Sequence, residues 1–166
     1  MLKIQDILRA QDIKRWTIVR TVRQQSLAEH TFNVVMVARA IARKASLSDE
    51  SIIKYALEHD LDEILTGDIP SPTKKRMRKA GIDLLKIESR GKNVPISMTM
   101  CVVKAADLIE NLWFLREHGV GRHAKEECKL LESIVHDYII SCPRTIAEAA
   151  TYTLDALLSG EFFRYE

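Results

Sequence analysis

Glycine and proline are scarce in this 166-residue chain, at 6 and 4 residues, which leaves little room for long irregular loops or disordered linkers. No excess of one charge exists either. Twenty-five Lys and Arg stand against 23 Asp and Glu, so a global field for nucleic acid is excluded and any positive potential must be local. The three cysteines, Cys101, Cys128 and Cys142, have no CxxC spacing and are odd in number. They read as buried reduced thiols in a cytoplasmic protein, not as a disulfide framework. No apolar run reaches the length of a membrane span, and the N-terminus lacks the apolar core of a signal peptide. What is present is ordinary for one globular domain over residues 1–166: 46% hydrophobic and 29% charged residues, in a chain long enough to bury a sizeable core.

The apolar periodicity is helical nearly throughout. Leu2, Ile4, Ile7, Leu8 and Ile13 predict a first amphipathic helix, and residues 14–23, with β-branched residues and three arginines, an extended or irregular linker. Ser26-Leu27-Ala28-Glu29 fits a capping box, opening a helix to about Ala45 that carries His30 in its first two turns. Ser48 is the expected cap of the next helix, which runs through His59-Asp60 to a stop at Gly67. Asp68 to Pro72 reads as a proline-stiffened loop, Lys74 to Lys79 as a short basic helix ending near Gly81, and Ile82 to Glu88 as another short helix. Pro95 opens the longest helix, Ile96 to about His118, and two more follow over 124–140 and 145–158, separated by Pro143. The expected fold class is all-α, an irregular bundle of about six to eight helices.

Three of these helices place a metal-capable side chain in apolar surroundings: His30, the pair His59-Asp60, and Asp107. Each also has a plain structural reading. His30 fits a hydrogen-bonded histidine near a helix start, Asp107 a salt bridge to Lys104 or Arg116, and Glu63, one helical turn after His59, an exposed carboxylate. The basic run 74–79 fits a solvated face or a nucleic-acid patch as well as an anion site. Trp16 and Ile18 fit ordinary packing, and Asp68 a turn cap. His118, His123 and His136 look like surface or helix-end residues.

An early helical His, a His-Asp pair and a distant Asp resemble the pattern of the HD-domain metal-dependent phosphohydrolases. Arg15-Trp16, Glu29-His30, His59-Asp60 with Glu63, residues 66–72 and Lys104-Ala105-Ala106-Asp107 are similar, in that order, to the bacterial 5′-deoxynucleotidases of this superfamily. The match spans roughly residues 10 to 115. The short segment between Pro72 and Asp107, with the Trp16 and Ile18 pair, resembles more closely the compact phage-encoded members that are dATP triphosphohydrolases.

The resemblance implies an HD-type bundle in which His30, His59, Asp60 and Asp107 hold one divalent metal (Co, Mn or Zn), with room for an additional Mg or Mn alongside a triphosphate. It implies Glu63 as general base or proton shuttle and Arg15, Lys74, Arg78 and Lys104 as phosphate contacts. Trp16 and Ile18 would face the base, and Asp68 the sugar 3′-hydroxyl. The implied partner is a small deoxynucleotide, in a homo-oligomer (dimer or hexamer) of a bacterial or phage-infected cytoplasm, with no membrane and no nucleic acid. The implied reaction is dATP to deoxyadenosine and triphosphate, or, alternatively, release of phosphate from deoxynucleoside monophosphates. A non-catalytic helical module that binds nucleic acid through residues 74–79 is the alternative from another class.

Overall fold

A computed structural model describes residues 3–82 and 97–160. In chain order the helices are α1 (Ile4–Leu8), α2 (Leu27–Lys44), α3 (Glu50–Glu58), α4 (Glu63–Thr66), α5 (Ser71–Lys79), α6 (Met98–His118), α7 (Gly121–Ser141) and α8 (Arg144–Ser159), with a 3-10 turn at Arg9–Gln11. No strand occurs among the described residues, only two isolated bridges, Lys14 to Ser26 and Thr21 to Gly119. The fold is the all-α bundle that the periodicity predicts.

The core forms where α2, α3, α6, α7 and α8 meet. Val34, Ala38, Ile41, Ile52, Val102, Ile109, Leu112, Ile146 and Ala150 are all essentially inaccessible there. The long α6 is apolar around most of its circumference, as expected of a helix surrounded by others. Small residues such as Ala38, Ala42, Ala105 and Ala106 let the axes approach.

Several boundaries differ from the sequence expectation. Asp49, not Ser48, precedes α3, and Pro72 lies inside the first turn of α5, where its missing N–H costs nothing. Ser97 caps α6, and α7 starts three residues early, at Gly121. Pro95 and nearly all of the 82–88 helix lie outside the described residues. The first helix is short and leaves Ile4, Ile7 and Leu8 exposed, so its apolar side faces no core in this chain. Cys101 is buried, Cys128 and Cys142 are half-buried, and all three are free.

Two local devices set the site. The capping box forms: Ser26 Oγ accepts from Glu29 N–H at 3.1 Å, and Glu29 accepts from Ser26 N–H at 3.2 Å. This fixes the start of α2 and thereby His30. The segment before it has no regular structure but is clamped at both ends. Arg15 N–H donates to Gln25 O at 2.9 Å, and Val22 N–H to His118 O at 2.8 Å. Ser26→Ala removes the side-chain half of the box and is expected to lower unfolding free energy by about 1 kcal/mol, read as a shift in the urea midpoint at unchanged slope.

Candidate metal centre

The helix expected to run unbroken to Gly67 stops at Glu58. His59 caps it, residues 59–62 form turns, and α4 restarts at Glu63 through tight bonds such as Glu63 N–H to Asp60 O at 3.0 Å. The one-turn geometry expected for His59 and Glu63 on a single helix is therefore replaced by a break. The break lets His59, Asp60 and Glu63 all turn inward, and Glu63 is buried, not the exposed carboxylate of the plain reading.

Both histidines are oriented by their Nδ1 atoms. His59 Nδ1 lies 2.7 Å from the Ala56 carbonyl, and His30 Nδ1 lies 2.6 Å from Glu110 Oε2. A carbonyl and a carboxylate only accept, so each Nδ1 carries the hydrogen and each Nε2 faces inward. His30 Nε2 is 3.6 Å from Asp60 Oδ2 and 3.3 Å from Asp107 Oδ1, and His59 Nε2 is 3.2 Å from Asp60 Oδ2. One ligand atom each from His30, His59 and Asp60 lies within 4.8 Å of the others.

These separations fit a metal. Ligands at ~2.0–2.1 Å from a tetrahedral zinc lie roughly 3.3 Å from one another. Two imidazoles and a carboxylate suit Zn, Co or Mn. His30 Nε2 is fully buried without a hydrogen-bond partner, a costly state for a polar atom that a metal bond would relieve. Asp107 is less committed to this point: its Oδ2 meets Lys104 Nζ at 2.6 Å and its Oδ1 accepts from Asn111 Nδ2 at 2.7 Å. The Lys104 pairing is the one the plain reading names, whereas Arg116 goes instead to Glu132.

The electrostatics agree. Burial works against ionisation at Asp60, but His30 and His59 hold its carboxyl far below the usual range. Burial opposes ionisation at Asp107 as well, and Lys104 and His30 overcome it. Burial and the Arg15 cation oppose a proton on His30, yet Asp107, Asp60 and Glu110 together raise its pKa to about 10. An imidazolium thus supplies positive charge inside a ring of carboxylates, the role a divalent ion would take over. Glu63 behaves oppositely: burial and the neighbouring Asp60 push its carboxyl up, only partly offset by Lys74.

Arg15 is the other internal cation. Its buried guanidinium places Nη1 3.6 Å from Asp60 Oδ2, 3.6 Å from Glu63 Oε2 and 4.0 Å from Asp68 Oδ1. Its Nη2 donates to Asn111 Oδ1 at 3.0 Å. Lys74 Nζ donates to Glu63 Oε1 at 2.9 Å, which brings one residue of the basic helix to the cluster. Arg78 stays exposed on α5 and reaches no group of the cluster. Trp16 turns the other way from Arg15. It stacks on Phe114 with centroids 5.9 Å apart and planes 9° from parallel, while Ile18 is exposed. A cavity of about 260 Å³ opens beside His59, lined by Tyr55, His59, Asp60, Lys104, Asp107 and Tyr138 among others.

The sequence reading missed Gln25, Glu110, Asn111 and Phe114. Three of them lie on α6 at offsets of three, four and seven from Asp107, a helical spacing that places them on its face. Gln25 precedes a helix cap and carries no such signal.

The bundle and its His-His-Asp cluster define the class: an HD-type metal-dependent phosphohydrolase. The family model described as 5′-deoxynucleotidase YfbR-like matches residues 4–100, and the chain belongs to this family. A dATP triphosphohydrolase of Acinetobacter phage SH-Ab 15497 is 33% identical over 85% of this chain and 81% of its own length. The 5′-deoxynucleotidase YfbR of Salmonella typhi is 31% identical over 74% of this chain and 66% of its own. Among solved structures, the cyanophage S-2L HD phosphohydrolase DatZ, bound to dA and one catalytic Zn2+, superposes with a TM-score of 0.79 at 25% identity. That match covers 96% of this chain and 98% of DatZ.

Arg15→Met should destabilise the metal-free protein by about 3 kcal/mol, because Asp60, Glu63 and Asp68 lose a shared buried cation. Added Zn2+ should recover part of that loss. Denaturant unfolding with and without EDTA measures both, and a midpoint equal to the wild type without metal would refute the dependence on Arg15.

Proposed function

We propose that this chain hydrolyses dATP to deoxyadenosine and triphosphate with a divalent metal at His30, His59 and Asp60, and Asp107 as the fourth ligand. The observation that carries the proposal is the likeness to phage proteins named dATP triphosphohydrolase over four fifths of both chains. A second phage relative, from Salmonella phage PMBT28, is 34% identical over 81% of this chain. The dA and Zn2+ of the DatZ structure support a nucleoside site beside a metal in the same fold.

In this reaction the oxygen of water bonds to the α-phosphorus, the bond from that phosphorus to O5′ breaks, and O5′ leaves with a proton. The metal, when bound, supplies a water of lowered pKa and screens charge on the phosphoryl group. Glu63 is the group suited to move the proton. It is buried, its carboxyl is pushed up from the usual range, and its Oε2 has no hydrogen-bond partner. Lys74 would exchange its ion pair with Glu63 for a phosphate oxygen, and Lys104, half exposed at the cavity, would meet another. Arg15 and Arg78 complete the positive set, Arg78 through a swing of its exposed side chain. Trp16 presents the aromatic surface for adenine, Ile18 limits the base edge, and Asp68 accepts the sugar 3′-hydroxyl.

Release of orthophosphate from deoxynucleoside monophosphates is the second reading, favoured by the YfbR relatives and by the family description. Both reactions cut the ester at the 5′ carbon, so one site serves either. The nucleic-acid module is disfavoured because Lys74 is directed at a buried carboxylate instead of solvent. The proposal includes a homo-oligomer, a dimer or hexamer, working in the cytoplasm. No described helix is long and apolar enough to cross a membrane.

Product analysis with Co2+, Mn2+ or Zn2+ and each dNTP and dNMP in turn tests the reading. Triphosphate and deoxyadenosine from dATP are expected, and orthophosphate from several dNMPs would replace it by the second. His59→Ala should lower kcat/KM for dATP by about 10²-fold or more together with metal content. Full activity and full metal content in that variant would show that the metal lies elsewhere.

A further inference from the structure

Glu110 is fully buried on α6 and makes contacts that no catalytic role above uses. Its carboxylate receives three donors. His30 Nδ1–H reaches Oε2 at 2.6 Å, Gln25 Nε2 reaches Oε1 at 2.6 Å and Asn33 Nδ2 reaches Oε1 at 3.0 Å. Three converging donors require a group that only accepts, which among side chains means a carboxylate. The direction of Gln25 is itself fixed, because its Oε1 accepts the indole N–H of Trp16 at 3.2 Å and so turns its amide nitrogen toward Glu110. Gln25 is itself completely buried.

We infer that Glu110 is a positioning residue that fixes His30 as an Nε2 metal ligand and, through Gln25, ties that ligand to the Trp16 indole. The inference rests on the metal-site reading proposed above. An imidazole with its hydrogen held on Nδ1 keeps the Nε2 lone pair toward Asp60 and Asp107, and the anionic partner makes that nitrogen a better donor to a metal. A run of hydrogen bonds then leads from the indole through Gln25 and Glu110 to His30. The base platform and the metal ligand are parts of one buried network, and neither can reorient alone.

The test is Zn2+ affinity, measured by competition with a chelating indicator on the full chain stripped of metal, with histidine ¹⁵N spectra of the Zn2+-loaded chain as the second readout. His30→Ala should bind Zn2+ more weakly. If it binds like the wild type, the metal-site reading itself fails and takes this inference with it. Glu110→Gln puts an amide NH2 among three donors and should weaken Zn2+ binding by about 10- to 100-fold. Its spectra should show His30 no longer held in a single Nδ1–H form, an effect that a merely packing residue would not have. Wild-type affinity and an unchanged tautomer in Glu110→Gln, with His30→Ala weakened, overturn the inference alone. Should circular dichroism show that Glu110→Gln does not fold, Asn33→Ala decides. It removes one donor at the edge of the network, and weaker Zn2+ binding supports the inference while unchanged binding overturns it.

Discussion

Buried negative charge is the constraint on which this molecule is built. Asp60, Glu63, Asp107 and Glu110 converge with Asp68 on a volume walled by apolar helices, where unpaired carboxylates are expensive. Positive charge must be brought in to hold them, and the chain brings it from inside and from its edge. Arg15 is threaded in on an irregular segment, His30 rides on α2, and Lys74 and Lys104 reach in from the surface. Such an arrangement is poor value for stability alone, since apolar residues of similar volume would fill the space at least as well. It is well suited to a site that must take up a cation and then a polyanion.

The helix α6 is the spine of that arrangement. Asp107, Glu110, Asn111 and Phe114 lie within one stripe along it, and each holds a different part of the site. Asp107 faces His30, Glu110 orients His30 from behind, Asn111 receives Arg15 and gives to Asp107, and Phe114 stacks on Trp16. The other faces of the same helix bury Val102, Val103, Ala106, Ile109 and Leu112. A helix gripped on its remaining faces cannot rotate, so the polar stripe is held at fixed register against α2 and the 12–26 segment.

The bundle was legible because apolar spacing and caps are local signals. Ser26 with Glu29, Gly67 and the Pro143 punctuation each act over a few residues. His30, His59, Asp60, Glu63, Arg15 and Lys74, which the motif singles out, lie close together in space. The break after Glu58 was not legible. Residues 59–63 carry no glycine or proline, yet the chain leaves the helix there, with His59, Asp60 and Glu63 turned toward the cluster. Glu110 and Gln25 escaped for a related reason. A buried Glu in an apolar helix gives no hint of the three donors 77 to 85 residues upstream that make it tolerable. Arg78 shows the converse: its spacing from Lys74 puts both on one helix face, but only the nearer one reaches the cluster.

The irregular 12–26 segment has the least secondary structure and the most consequence. Arg15 and Trp16 are adjacent yet diverge, one into the carboxylates and the other onto Phe114, and this divergence coincides with a left-handed backbone at Trp16 (φ 60°). A non-glycine residue holds that conformation only when its surroundings over-determine it. Here they do: the indole is stacked, its N–H is satisfied by Gln25, and the Arg15 N–H is bonded to the Gln25 carbonyl. Gln25 therefore holds both ends of the divergence, with its side chain on the aromatic residue and its main chain on the cationic one. A regular strand or helix would send neighbouring side chains about 180° or 100° apart at fixed spacing, with no freedom to choose their targets. An irregular backbone, clamped at both ends, delivers a cation to a buried acidic cluster and an aromatic plane onto Phe114 with consecutive residues.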